Sequence, residues 1–171
     1  MADAPVRTPD TVRSRSAVWY VLAVVRILIG FEFLWAFLDK TFGLTFNTPA
    51  GQGWIHGVSP TYGYLSAERA LDGVFEPLAD LKIVEVLFML GLLGVGIGLI
   101  AGIAVRISSL AAMAMLILMW AAAFPIATNP VVNYNLIQAV IVLVFPLVLA
   151  HQKLSLAGPW QKLTAKAPWL H

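Results

Sequence analysis

The chain has 171 residues, of which 60% are apolar and only 12% are charged. Soluble domains carry about 25% charged residues, so most of this protein's surface is expected to face something other than water. The formal net charge of +2 is too small to indicate a nucleic-acid partner, and the absence of cysteine excludes disulfides, thiolate metal sites and thiol relays. We therefore predict an integral membrane protein of a single domain, without a metal site.

Four apolar runs follow one another along the chain, each close to the length of about 20 residues that crosses a hydrocarbon core. In a bilayer every backbone amide must be satisfied within its own segment, so these runs are predicted to be helices. The predicted fold is an all-α, four-helix transmembrane bundle, and its predicted partner is the lipid bilayer. Its predicted spans are 17–38, 83–105, 107–127 and 131–150, which together make up a transmembrane domain over 17–150.

The charges that flank these runs predict the orientation of the chain. The first run is followed by Asp39 and Lys40 and not by a small-residue cleavage site, so we interpret it as a span and not as a signal peptide. By the positive-inside rule the basic flanks are cytoplasmic, and the acidic loop 39–82 lies outside. The prediction is a multi-pass plasma-membrane protein with cytoplasmic tails at 1–16 and 151–171. The basic flanking residues are Arg7, Arg13, Arg15, Arg106, Lys153, Lys162 and Lys166.

The external loop 39–82 is unusually long for so small a protein, and long loops are mostly functional or disordered. Its aromatic side chains favour burial against the outer mouth of the bundle, which argues against disorder. Its second part, from about Ser66 to Asp80, is predicted to form a short amphipathic helix that Gly73 and Pro77 interrupt. We interpret the loop as a lid. The aromatic residues are Phe42, Phe46, Trp54, Tyr62, Tyr64 and Phe75.

The second and fourth spans contain residues that affect helix packing. Gly94, Gly98 and Gly102 are spaced four apart, a pattern that lets a neighbouring helix approach closely. The alternative is that these glycines leave a gap for a flat ligand. Pro146 is predicted to kink the fourth span and to free the carbonyl near Val142.

Ionisable groups inside a span are functional hypotheses, because they are costly in a bilayer. Arg26 is predicted to lie about 13 Å from the inner end of its span at 1.5 Å per residue, near the bilayer centre. Glu32 points about 120° away from it, so each needs a partner from another helix, or Glu32 must be protonated. Gln138 is predicted to lie level with Glu32 and to meet it across the core. The alternative is that Arg26 is a structural clamp that binds freed carbonyls.

Further polar residues are predicted to form a pocket that opens outward beneath the loop, with Arg26 at its floor. Glu32, Trp35 and Asp39 share one face of the first helix through their i, i+3, i+7 spacing. The simpler interpretation of Asp39 and Lys40 is that they are interfacial anchors. For the asparagines of the fourth span it is that they are helix-end or interhelical hydrogen bonders. The fourth-span residues of this pocket are Asn133, Tyr134, Asn135 and Gln138.

Three stretches carry a family resemblance: Arg26 to Lys40 in the first helix, the glycine-rich second helix, and Asn129 to Asn135 at the start of the fourth. They resemble the DoxX-like membrane proteins, including DoxD-type small subunits of thiosulfate:quinone oxidoreductase. The resemblance extends from about Arg26 to Ala150. It implies a four-helix membrane subunit of a prokaryotic cell envelope, sometimes linked to the quinone pool and implicated in oxidising thiosulfate or in redox and thiol stress.

The first functional hypothesis is a subunit of a quinone-linked oxidoreductase that takes electrons from thiosulfate or a related reduced sulfur or thiol donor. Quinone would be a diffusible co-substrate, and no cofactor would be bound covalently, because the chain contains no flavin, haem or iron–sulfur motif. Glu32 would deliver a proton, and Lys40 and Arg69 would attract the anionic donor from outside. The candidate catalytic residues are Glu32 and Asp39. The candidate quinone- or substrate-binding residues are Arg26, Trp35, Lys40, Asn133, Tyr134, Asn135 and Gln138.

Two further hypotheses belong to other functional classes. The chain could be a non-catalytic membrane anchor or assembly partner of a second protein subunit, with the loop as docking surface. It could also be a small-molecule or lipid carrier that uses the outward pocket, which would require a homo-oligomer. Whether the protein is an enzyme at all is left open by the sequence.

Overall fold

The computed structural model describes residues 9–127, 129–167 and 170, with side chains from Ser16 onward. In this part the chain is all-helical, with 68% helix and no strand. Arg7 lies outside the described residues, as do the side chains of Arg13 and Arg15. The α-helices are α1 (Pro9–Phe42), α2 (Tyr62–Leu65), α3 (Asp72–Ala79), α4 (Lys82–Ala101), α5 (Val105–Ala122), α6 (Tyr134–Ile141), α7 (Val144–Leu147) and α8 (Ala157–Leu163).

Among the described residues, three helices are long and apolar enough to cross a membrane: Ser16–Phe42 within α1, then α4 and α5. The α1 helix begins at Pro9, inside the predicted tail 1–16, and it continues past the predicted end of the first span. It ends before Gly43, which adopts a left-handed φ of 69°. The Gly43 amide closes the last turn on the carbonyl of Asp39 at 2.8 Å, as in a helix-terminating turn.

The ends of α4 and α5 also differ from the predicted spans. α4 ends at Ala101 because Gly102 has a left-handed φ of 67°, which glycine adopts without strain. α5 ends at Ala122, shortly before Pro125. A proline disfavours the helical conformation of the residue that precedes it. Both predicted spans were therefore extended too far toward their carboxyl ends.

The fourth apolar segment is shorter than the predicted span 131–150 and is broken. It begins at Tyr134, because the side chain of Asn133 caps the helix by accepting a hydrogen bond from the amide of Leu136 at 3.2 Å. α6 and α7 are separated by Val142 and Leu143. The break lies where the missing amide of Pro146 leaves the preceding turn without a hydrogen-bond donor, as predicted.

The long helices pack in sequence, α1 along α4, α4 against α5, and α5 against α6. The most extensive contact is between α1 and α4. A Cβ atom at Gly30 would lie 2.8 Å from the backbone nitrogen of Ile100, and one at Gly96 would lie 2.8 Å from the backbone nitrogen of Leu34. These glycines are therefore needed for the contact. The buried apolar core includes Ile29, Phe33, Met89, Leu92, Leu99, Leu116, Val142 and Phe145.

The predicted glycine stripe does not form this interface. Nothing lies within 4 Å of a Cβ atom placed on Gly94, whereas Gly98 faces Ser108 of α5 and Gly102 ends α4. Gly96, which the four-residue spacing left out, makes the contact with α1. Of the predicted stripe, Gly98 allows the close approach of a neighbouring helix, which is α5, and Gly94 does not. The spacing pattern does not determine which face of α4 meets α1.

The loop between α1 and α4 contains α2, α3 and a short 3-10 turn at Trp54–His56. α3 is the predicted amphipathic helix, and it accommodates both Gly73 and Pro77. The expectation that the loop aromatics are buried was wrong for most of them. Phe42, Phe46, Tyr62 and Tyr64 are exposed, whereas Trp54 and Phe75 are partly buried.

The described part of the carboxyl-terminal segment packs against the end of the bundle opposite the loop. The amide of Leu156 donates to the carbonyl of Ala101 at 2.8 Å. The ring of His151 stacks on that of Trp19 with centroids 4.3 Å apart. The first residues of the predicted tail 151–171 therefore belong to the folded bundle.

Candidate functional site

A cavity of about 980 Å³ lies between α1, α4, α5, α6 and the loop. We call it the polar cavity. It opens at the end of the bundle where the loop lies, which is the place predicted for the pocket. It brings together six of the nine predicted site residues: Glu32, Trp35, Lys40, Tyr134, Asn135 and Gln138.

A hydrogen bond joins the two sides of the polar cavity. The side-chain nitrogen of Gln138 donates to Glu32 at 2.7 Å, which confirms the predicted contact. The side-chain oxygens of Gln138 and Asn135 are buried without a hydrogen-bond partner among the described residues. Leaving such a group unpaired costs about 1–3 kcal/mol, so turning either amide toward the polar cavity, to accept from a ligand's hydroxyl or amine, would be favourable.

Trp35 and Lys40 form the α1 side of the polar cavity nearest the loop. Trp35 packs edge-on against Phe46, with ring centroids 5.0 Å apart, and stacks with Phe31 at 6.0 Å. The half-buried amine of Lys40 donates to the carbonyl of Pro60 at 3.1 Å. The cavity therefore combines an aromatic wall with one fixed cation.

Asp39 does not line the polar cavity, although its spacing places it on the helix face of Glu32 and Trp35. It is only 1% exposed. Its two carboxylate oxygens accept from the amides of Phe46 and Asn47, at 3.2 and 2.9 Å. This carboxylate fixes the start of the loop, so the geometry gives no support to its predicted catalytic role.

Arg26 is also outside the polar cavity, and its predicted position at the floor was wrong. It is 2% exposed and lies level with the last turn of α4. The unpaired carbonyls of a helix carboxyl end attract a cation, which explains this position. The guanidinium donates to the carbonyls of Leu99, Ile100 (3.5 Å), Lys153 (3.2 Å) and Leu154 (2.9 Å). This is the arrangement expected of the structural clamp.

Asn133 is the remaining predicted binding residue outside the polar cavity. Its side chain caps α6 through the amide of Leu136, as the simpler interpretation predicted. The neighbouring Asn135 is 2% exposed and lines the cavity. Two asparagines that look equivalent in the sequence therefore have different roles.

The loop is attached to the helices by side chains that the sequence did not indicate. The indole of Trp54 donates to the buried Glu85 of α4, which also pairs with Lys82. Tyr64 donates through its hydroxyl to the carbonyl of Met119 at 2.8 Å. No spacing rule relates these residues, because they are far apart along the chain.

Arg69 fastens the same region of the loop to the end of α5. Its guanidinium donates to the carbonyl of Ala122 at 2.7 Å and lies 4.6 Å from the centre of the Tyr64 ring. The amide of Ala70 donates to the carbonyl of Phe124 at 3.1 Å. Arg69, predicted to attract an anionic donor, thus holds the loop against the bundle.

A comparison of the chain with protein-family models, curated proteins and solved structures finds no match. Within the described residues, no group of three or more His, Asp or Glu side chains is arranged to hold a metal ion. The groups that the polar cavity offers to a ligand are a carboxylate, two amides, an amine and aromatic rings. These suit binding of a ring with polar substituents and transfer of a proton.

Proposed function

We propose that this chain is a DoxX-like integral membrane subunit of a quinone-linked oxidoreductase, and that a quinone ring binds in the polar cavity. The observation that carries the proposal is the Glu32–Gln138 hydrogen bond across a cavity walled by Trp35. The cavity volume lies within the range of about 300–1,000 Å³ that small-molecule sites occupy.

The proposal places the chain in the membrane as a four-helix bundle, in which the broken segment α6–α7 is the fourth member. We call this arrangement the membrane frame. A broken helix is tolerated at membrane depth where protein or a cavity covers it, and α6 lies beside the polar cavity. The distribution of basic residues supports cytoplasmic termini in the plasma membrane and an external loop. The cavity would then open toward the outer side.

The reaction that fits these groups is the reduction of a quinone to a quinol by two electrons and two protons. Two thiosulfate ions, or a related sulfur donor, would supply the electrons by joining through a new S–S bond. Glu32 would give one proton to the ring oxygen, and water at the cavity mouth would give the other. The unpaired oxygens of Asn135 and Gln138 would accept hydrogen bonds from the quinol hydroxyls. The donor would be oxidised on a partner subunit.

A non-catalytic anchor or assembly partner is the second candidate. The observation that favours it is that Arg26 and Asp39, the two most deeply buried predicted site residues, are bound to backbone groups of this chain. The buried charges of Arg26 and Asp39 therefore have a structural explanation. In this case the loop would be the docking surface for the partner.

Binding of a short-chain quinone to the full-length protein in nanodiscs distinguishes the two candidates. We expect saturable binding, weakened about tenfold by Gln138→Leu, because this variant removes the amide that holds Glu32 in place beside the ring, and the loss of a hydrogen-bond partner costs about 1–3 kcal/mol. Glu32→Gln should bind the ring within a few-fold of the wild type but lose turnover, because it keeps the hydrogen bond and removes the proton.

Glu76→Gln is the matched control, because this exposed loop acid does not line the polar cavity. It should leave both binding and turnover unchanged. Absence of saturable binding to a well-folded wild-type protein would reject the oxidoreductase proposal and favour the anchor. Unchanged turnover in Glu32→Gln would remove Glu32 from the mechanism.

A further inference from the structure

A second cavity, of about 420 Å³, adjoins the polar cavity between the loop, α4 and α5. We call it the apolar cavity. Its lining is almost entirely hydrocarbon and aromatic, and Lys40 is the one charged side chain among the residues that line it. A cavity with such walls does not hold water well but binds apolar molecules. Phe75, Leu78, Met115 and Leu118 line this cavity and not the polar one.

The two cavities are adjacent and share part of their walls. Lys40 and Tyr64 lie at this common boundary, where each is held by a hydrogen bond to a backbone carbonyl. A molecule with a polar head and an apolar chain would occupy both cavities by passing between these side chains. The shared residues are Lys40, Pro60, Tyr64, Phe88 and Met119.

The apolar cavity has its mouth on the side of the bundle and not at its end. Leu87 of α4 is 60% exposed and Leu118 of α5 is 59% exposed, yet both line the cavity. These faces belong to two helices that are apolar enough to cross a membrane. In the proposed membrane frame, this mouth faces the hydrocarbon of the outer leaflet.

We infer that the apolar cavity holds the hydrocarbon chain of the molecule whose ring lies in the polar cavity, and that this molecule enters sideways from the bilayer between α4 and α5. The inference rests on the proposed function, and it specifies the substrate as a long-chain, membrane-soluble quinone. A water-soluble ring without a chain would leave the apolar cavity unfilled. The α3 helix, through Phe75 and Leu78, covers the chain from the loop side.

The test uses the full-length protein in nanodiscs with two quinones that carry the same ring, one with a long isoprenoid chain and one with a methyl group. The variant Leu87→Trp puts an indole at the mouth of the apolar cavity. We expect it to weaken binding of the long-chain quinone about tenfold, the usual size of an overpacking clash, and to leave the methyl analogue unaffected. Leu90→Trp is the matched control, because Leu90 is 58% exposed on α4 but does not line the cavity.

The position of the chain is tested by a photoreactive diazirine placed on it. The inference expects crosslinks at Phe75 or Met115, which are lost in Leu87→Trp and retained in Leu90→Trp. A phospholipid with the same diazirine on its acyl chain is the second arm. Crosslinks from this phospholipid at the same residues that excess long-chain quinone does not displace would show a lipid site and overturn the inference.

The failure of this inference and that of the proposed function have different signatures. If both quinones bind the wild type but Leu87→Trp weakens neither, the chain site is rejected and the ring site stands. If neither quinone binds to the folded protein, the proposed function fails and the inference fails with it.

Discussion

At the scale of single residues, the two charges of the first helix have opposite roles. Glu32 reaches across a cavity to Gln138, whereas Arg26 is surrounded by backbone carbonyls from two different segments. One of these segments is strained, because Leu154 adopts a left-handed φ of 50°, which costs a residue with a side chain about 1–3 kcal/mol. The hydrogen bond from Arg26 to the Leu154 carbonyl helps to hold this backbone in place.

Replacing Arg26 is therefore a test of stability and not of ligand contact. Arg26→Leu should destabilise the bundle by about 3 kcal/mol or more, because it leaves buried carbonyls without donors. The melting temperature in detergent should fall, and exchange of the amides around Leu154 should become faster. Quinone affinity, measured below the melting temperature, should change little.

Arg106→Leu is the comparison for that experiment, since this cationic side chain is exposed at the start of α5. It should leave the melting temperature nearly unchanged. A stable Arg26→Leu protein that has lost quinone binding would contradict the clamp and return Arg26 to the ligand site.

At the scale of elements, the sequence predicted most of what depends on local physics. The apolar runs located α1, α4 and α5, and the loop composition located α3. Pro146 marked the break in the fourth segment. The missing information concerned contacts between distant residues. The face of α4 that meets α1 is determined at Gly96 and Gly30 by backbone approach, and the four-residue spacing did not include Gly96.

The predicted site residues also differ in how well the sequence placed them, according to whether their partners can be located from the sequence. Glu32 and Gln138 were paired correctly, because depth along two helices can be counted from their ends. Asp39 and Arg26 were placed wrongly, because their partners are backbone groups of the loop and of the carboxyl-terminal segment. Backbone groups are present at every position, so the sequence does not show which ones an ion will bind.

The attachment of the loop is the element-scale property that can be tested directly. Arg69→Gln should remove the hydrogen bond to the carbonyl of Ala122 and the contact with the Tyr64 ring. A loss of about 1.5 kcal/mol or more should speed hydrogen exchange in α2 and α3 about tenfold. Glu68→Gln, at the adjacent exposed position, is the control and should leave exchange unchanged.

If Arg69→Gln leaves exchange of α2 and α3 unaltered, this arginine does not hold the loop. An increase that spreads to α4 and α5 would mean that the variant loosens the whole bundle. Only a local increase, together with faster release of bound quinone, would support the interpretation of the loop as a lid over the polar cavity.

At the scale of the whole molecule, the packing order explains where the cavity lies. Each long helix packs on the next, so α1 and α6 are the first and last members of the series. The space between them is crossed by the Glu32–Gln138 hydrogen bond and is covered at one end by the loop. At the opposite end, Arg26 and the segment after α7 close the bundle. The polar cavity thus lies at the end of the molecule that the loop covers, and the carboxyl-terminal segment packs at the other end.

The orientation of the bundle in the membrane determines the side from which protons and the electron donor reach the polar cavity. The chain contains no cysteine, so a single introduced thiol reports its own location. Gln52→Cys, at an exposed position of the loop, should react with a membrane-impermeant maleimide in intact cells. Gln161→Cys, at an exposed position of α8, should react only after the membrane is permeabilised.

The reverse labelling pattern would show the opposite orientation, in conflict with the basic residues that flank the spans. The polar cavity would then open to the cytoplasm, and quinone reduction there would take its protons from the cytoplasmic side. Labelling of both thiols in intact cells would indicate that the broken segment α6–α7 does not cross the bilayer, because the two crossings by α4 and α5 alone return the chain to the side of the loop.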